Sequence, residues 1–252
     1  MIRKFGELVV FSLLAMLLVV VPVASSVADT SAASYHWARK KSHFTLQVGD
    51  NLSGDWNSYL RRGLADWNKN GTVTLDKVGG QTSPQKCNPT TGRVEVCNWL
   101  YGTQEGWLGL TQLYFNKQGD HIDAATLQLN DSYFDSSSQY NNDAARRHTM
   151  CHELGHTMGL DHVDTNSCMN NSQYAVFHYV QPTRKDFRQI QKIYNHKDKE
   201  TTVSSASVTS EGFAASTSLP SAPNEGATDE TVTVQKLDDG RTVVTFITWA
   251  KD

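Results

Sequence analysis

Apolar and polar positions alternate with period two over Phe44 to Val48, and then the period changes. Between Asp55 and Asn68, the residues Trp56, Tyr59, Leu60, Leu64 and Trp67 recur at helical spacing, so a strand followed by an amphipathic helix is predicted. Asn70-Gly71 turns the chain into a second strand over Thr72 to Val78. Trp107 to Phe115 and Ile122 to Leu129 are strand-like runs separated by Asn116-Lys117-Gln118-Gly119-Asp120, and they read as an antiparallel pair. A helix is predicted from about Asp143, with Asn142 as its cap, to Leu160. A last helix runs from Pro182 through Phe187, Ile190 and Tyr194. This order predicts an α+β fold, a mixed sheet with helices packed against it and Trp56, Trp67 and Trp107 in the core.

The two ends of the chain follow other patterns. Arg3 and Lys4 precede an apolar run from Val9 to Val21, and Ser26-Val27-Ala28 has the small-x-small form of a signal-peptidase site, so residues 1–28 are expected to be a signal peptide. The run is broken by Pro22 and falls short of the ~20 apolar residues of a spanning helix. No second such run follows. A secreted, extracellular protein without stable membrane insertion after cleavage is the expectation. Thr201 to Thr228 is rich in Ser, Thr and Ala and closes with Pro220 and Pro223, the composition of a linker assigned to 198–228. In the remaining tail, 229–252, Thr231 to Val234 and Thr242 to Ile247 flank Asp239-Gly240, a strong hairpin signal. A lone hairpin is marginal in water, so it should dock on the main body or on a partner, with Trp249 as a candidate anchor.

Composition narrows the classes. The 252 residues are 38% hydrophobic and 19% charged, with a net charge of −3. That is ordinary globular material without the basic excess a nucleic-acid partner requires. Four cysteines, an even number in an exported chain, suggest two bridges. Cys87 and Cys97, around the Thr91-Gly92 turn, form the simplest local pair.

The chemistry is concentrated in the 143–160 helix. His152 and His156 stand four apart, on one face and about one turn from each other, close enough to share one ion. Gly159 can take a left-handed conformation, end the helix and return His162 towards that ion. Three neutral imidazoles leave a fourth tetrahedral position for water, which distinguishes a catalytic zinc from a closed structural one. Glu153 can reach that water, take its proton and pass it to a leaving amine.

The string His152-Glu153-x-x-His156-x-x-Gly159-x-x-His162, followed by Ser167-Cys168-Met169-Asn170, resembles the zinc motif and Met-turn of the metzincin metallopeptidases, and its short connections resemble the matrixin-like and small secreted bacterial branches. The resemblance covers roughly residues 35 to 197, so 29–197 is read as the catalytic domain. It implies upper and lower subdomains with a cleft between them and one catalytic zinc at its floor. It implies that Trp107 to Phe115 is the edge strand to which an extended peptide adds, so the substrate is a polypeptide. Ser172 to Tyr179 would then wall a substrate pocket. Met169 is assigned a packing role under the imidazoles, with no bond to metal. A Cys151–Cys168 bridge would staple the helix to the Met-turn, while free thiols or another pairing stay open. A monomer is expected, with no organic cofactor.

Departures from the family pattern matter as well. Asn171 stands where some members carry a tyrosine ligand, and His162 rather than Asp161 holds the third ligand position. No cysteine precedes Cys87, so a pro-segment cysteine blocking the zinc is not expected. The tail after 198 reads either as a regulatory piece or as an appendage without catalytic role. His148 is read as solvated. Asp120, His121, Asp123, Asp131 and Asp135 are candidates for a structural calcium or second zinc, although calcium needs six to eight oxygens. The rival readings are an exported binding or adhesion protein with a vestigial site, and a zinc hydrolase acting on a non-peptide bond.

Overall fold

The computed structural model describes residues 35–134, 138–204 and 231–251. The expected signal peptide, Asp135 and most of the expected linker lie outside these. The first strand, β1 (Phe44–Asn51), leads into helix α1 (Trp56–Trp67), whose buried stripe is Trp56, Leu60, Gly63, Leu64 and Trp67. β2 (Val73–Gly79), β3 (Val94–Trp99), β4 (Trp107–Phe115) and β5 (Ile122–Asn130) follow. After them come the short α2 (Asp131–Phe134), the long α3 (Asp143–Thr157), α4 (Gln173–His178) and α5 (Arg184–Ile193). The tail supplies β6 (Val232–Lys236) and β7 (Thr242–Trp249).

Among the described residues seven strands form one mixed sheet in the order β2-β1-β3-β5-β4-β7-β6. β1 pairs parallel with β2 and β3, and β3 parallel with β5, while β4, β7 and β6 run antiparallel to their neighbours. Against this sheet pack α1 and α3, burying Trp37, Leu46, Leu60, Trp67, Leu127, Met150 and Leu154 in one core. Among the described residues no helix is long and apolar enough to cross a membrane.

Several elements differ from the sequence reading: α2 and α4 were not expected, and α3 stops at Thr157, short of Leu160. β3 was not among the expected strands, because its buried polar positions hide the alternation: Glu95 is fully buried and paired with Arg93 Nε at 3.0 Å. α5 starts later than Pro182, because Thr183 and Asp186 form a capping box that fixes its first turn. The largest correction concerns β4. Expected as the free edge of a cleft, it lies inside the sheet, with β5 on one side and β7 of the tail on the other. All nine of its residues are buried, and Val243, Val244, Phe246 and Ile247 of β7 are buried with them.

Candidate metal centre and active site

The site begins as a property of one helix. Asn142 starts α3 by accepting from Ala145 N at 3.0 Å, and the spacing of four places His152 and His156 on one face. The helix ends at Thr157 because Gly159 takes φ 87°. A side chain at 159 is excluded twice, by that left-handed φ and by the Tyr35 carbonyl oxygen, which a Cβ would approach to 1.8 Å. The reversal brings back His162. Nε2 of His152 then lies 2.9 Å from Nε2 of His156 and 3.1 Å from Nε2 of His162.

Hydrogen bonds fix the tautomers of the two helical imidazoles. Nδ1 of His152 donates to the Cys168 carbonyl at 2.6 Å, and Nδ1 of His156 donates to the Leu160 carbonyl at 2.7 Å. A carbonyl only accepts, so both Nε2 atoms carry lone pairs pointed at the common centre. Burial, and next the neighbouring imidazoles, hold His152 and His156 well below the ordinary histidine range. Burial also lowers His162 to about 4, against the opposing pull of Asp161. These are neutral, ligand-form imidazoles. Their separations approach the edge, about 3.3 Å, of a tetrahedron with ~2.0–2.1 Å zinc–nitrogen bonds, so the donor set fits zinc.

Packing below the triad is tight. A Cβ on Gly155 would meet Met169 Sδ at 2.2 Å, so the Met-turn presses against the helix between the two ligands. Cys151 and Cys168 are joined, and this bridge holds the residue whose carbonyl orients His152. Cys87 and Cys97 form the second disulfide.

Glu153 is fully buried beside the triad, with both carboxylate oxygens engaged. Thr111 of β4 donates to Oε2 at 2.6 Å, and Thr248 of β7 donates to Oε1 at 2.6 Å. Burial pushes the carboxyl up to about 7, while these two bonds pull it the other way. The tail covers the ligands too. Phe246 stacks on His156 with centroids 4.1 Å apart and planes 14° from parallel, and Thr231 Oγ1 lies 3.3 Å from His162 Nδ1. Thr111, Thr231, Phe246 and Thr248 escaped the sequence reading, since only the register of β7 against β4 (Phe246 on Thr111, Thr248 on Gly109) brings them here.

Other expected positions resolve differently. His148 is a correction. It is fully buried, not solvated, with Nδ1 donating to the Tyr179 carbonyl at 2.7 Å, because α4 and the chain after it cover the first turns of α3. Asp131 accepts from Trp56 Nε1 and Asn98 Nδ2, a structural role in the core. Asp120 and His121 lie close to Glu200, and Asp123 stands apart from that group. Ser172 to Tyr179 contains α4, capped by the Ser172 side chain.

The family model of the matrixin peptidases matches residues 37–195. No curated protein matches the chain. Among solved structures, archaemetzincin from Methanopyrus kandleri is 16% identical, with 62% of this chain and 97% of that one covered and a TM-score of 0.38. Myroilysin is 13% identical over 64% of this chain and 97% of its own, with a TM-score of 0.37. High choriolytic enzyme 1, a hatching enzyme zinc-protease from the medaka fish Oryzias latipes, is 12% identical over 66% and 96%, with a TM-score of 0.35.

Proposed function

The chain belongs to the matrixin family, and on that premise we propose that it is a secreted, monomeric zinc endopeptidase whose cleft, in the form described here, is filled by its own C-terminal strand. The observation that carries this reading is the position of Glu153, ionisable, buried and flanked by three convergent imidazole nitrogens. His152, His156 and His162 would hold the metal. Zinc, when bound, supplies a Lewis acid that polarises the scissile carbonyl and acidifies a water. Glu153 takes the proton of the attacking water and returns it to the departing nitrogen. Thr111 holds the carboxylate in place through its hydroxyl. With β7 displaced, β4 offers an unpaired main-chain edge to an extended polypeptide, and main-chain pairing of this kind tolerates many sequences.

β7 supports the reading because it does what such a peptide would do. It runs antiparallel along β4, hydrogen-bonds the base and stacks on a ligand. Being tethered, it competes at an effective concentration on the order of millimolar, so the full-length chain should be nearly latent. A chain ending at Ser204 should cleave a denatured protein, lose that activity to a chelator and regain it with zinc. The same covered cleft favours a second reading, an exported binding protein with a vestigial site. Zinc bound by the shortened, folded chain without cleavage of any protein or peptide would establish that alternative.

A further inference from the structure

A second group of imidazoles lies away from the cleft, and no residue of α3 belongs to it. It comes from three remote segments: His36 in the chain before β1, His121 in the turn between β4 and β5, and His196 and Asp198 in the chain after α5. Nε2 of His196 is 3.1 Å from Nε2 of His36. Asp198 Oδ1 is 3.6 Å from Nε2 of His36, 3.5 Å from Nε2 of His121 and 3.3 Å from Nε2 of His196. The rings of His121 and His196 each stand nearly perpendicular to that of His36, with centroids 4.8 and 4.7 Å away.

From this geometry we infer that His36, His121, His196 and Asp198 form a second, structural metal site that takes zinc. The donors of His36, His196 and Asp198 lie 3.1 to 3.6 Å from one another, around the edge of about 3.3 Å expected of a tetrahedron with ~2.0–2.1 Å bonds, and His121 Nε2, 3.5 Å from Asp198 Oδ1, is the candidate fourth donor. Three imidazoles and a single carboxylate oxygen suit zinc, while calcium would need six to eight oxygens.

The surroundings are built to hold these donors. The other carboxylate oxygen of Asp198, Oδ2, accepts from Arg39 N at 2.9 Å and from Arg39 Nη1 at 3.2 Å, which leaves Oδ1 turned to the histidines. Arg39 is itself almost fully buried and fixed by the carbonyls of Tyr194 and His196. On the far side of His121, carboxylates of Asp120 and Glu200 lie 3.0 and 3.3 Å from Nδ1. Carboxylates at this distance raise the basicity of a ligating imidazole, although neither is in hydrogen-bond geometry with Nδ1 here.

With four protein donors the site is closed, so it holds structure and leaves no place for a substrate. Its effect is to pin the two ends of the catalytic body together. The segment around Trp37, whose Nε1 donates to the Thr157 carbonyl at the end of α3, is tied to the segment that leaves α5. Thr202 N and Ser204 N then bond to Ala38 and Gly92 carbonyls, so the clasp also fixes where the connection to the tail begins.

The test is the zinc content of the full-length chain after gel filtration in chelator-free buffer. Two zinc ions per chain are expected in the wild type, and one each in His36→Gln/His196→Gln and in His152→Gln/His156→Gln. Asp198→Asn, which keeps size and shape, should weaken the second zinc by 10-fold or more if the paired histidine variant fails to fold. As a readout independent of substitution, zinc added to the stripped protein should move the imidazole nitrogen resonances of His36, His121 and His196. A single zinc in the wild type that disappears in His152→Gln/His156→Gln, or unmoved resonances of those three histidines, overturns the site.

Discussion

Two triads of imidazoles in this molecule differ in what stands beside them. In the first, His152, His156 and His162 span eleven residues of one helix and its reversal, and Glu153 lies next to them with its oxygens held by Thr111 and Thr248. In the second, His36, His121 and His196 come from distant segments, and the carboxylate of Asp198 points into the centre itself. A carboxylate among the donors closes a site, whereas a carboxylate displaced to its flank leaves a position for reaction and a base to serve it. The same ligand type thus builds a clasp at one place and a reactive centre at the other.

The comparison is broken most sharply by changing the two carboxylates. Glu153→Gln in the chain ending at Ser204 should lower kcat/KM by about 10³ or more, with zinc and melting temperature retained. Asp198→Asn should do the reverse, keeping kcat while losing about 1.4 kcal/mol or more of ligand-linked stability, roughly 3–6 °C or more. An Asp198→Asn variant inactive at unchanged melting temperature would contradict the division of roles.

A covalent staple serves only the first triad. Cys151→Ala/Cys168→Ala removes a link across a separation of 17 residues and should cost about 3 kcal/mol in urea unfolding, together with weaker zinc binding through a freed Cys168 carbonyl. Zinc binding unchanged in that variant would detach the bridge from the site.

A third region titrates apart from both triads. Tyr101, packed on Trp107 beside the tail, is pushed up to about 12 by burial, with a bond to Gln128 opposing and Asp131 adding to the rise. The folded state therefore holds the phenol proton more tightly than the unfolded one. This contribution is intact below pH 10, and about 2 kcal/mol is lost as pH rises from 10 through 12. Tyr101→Phe should flatten that part of a stability–pH curve equally with and without zinc. Smaller still, Thr248→Val removes one bond to Glu153 worth about 1.5 kcal/mol, and should raise the residual activity of the full-length chain roughly tenfold.

Sequence made the first triad legible because all its parts are local. Helical spacing, a glycine that ends the helix and a methionine seven residues beyond His162 are visible without any fold. The strands β1, β2, β4 and β5 and the helices α1 and α3 were readable from their periods, and the hairpin from Asp239-Gly240. What was hidden depends on long-range register. Nothing in Thr242 to Trp249 says that it joins β4, since a strand apolar on both faces pairs with any free edge, and Thr248 meets Glu153 across 95 residues only after it has done so. The second triad was hidden for the same reason. His121 and its acidic neighbours were visible as candidates, but His36 and His196 are 160 residues apart and meet only through the packing of both chain segments around Arg39.

The central claim is a competent peptidase masked by its own strand, and one measurement addresses it directly: hydrolysis of a denatured protein by the zinc-loaded chain at full length and by the chain ending at Ser204, with a peptide of residues 242–249 added to the latter. The account predicts at least a hundredfold rise on shortening, abolished by a chelator and reversed by the peptide at roughly millimolar concentration. Equal rates in the two chains would contradict the mask, and a folded, zinc-loaded short chain that cleaves nothing would contradict the peptidase.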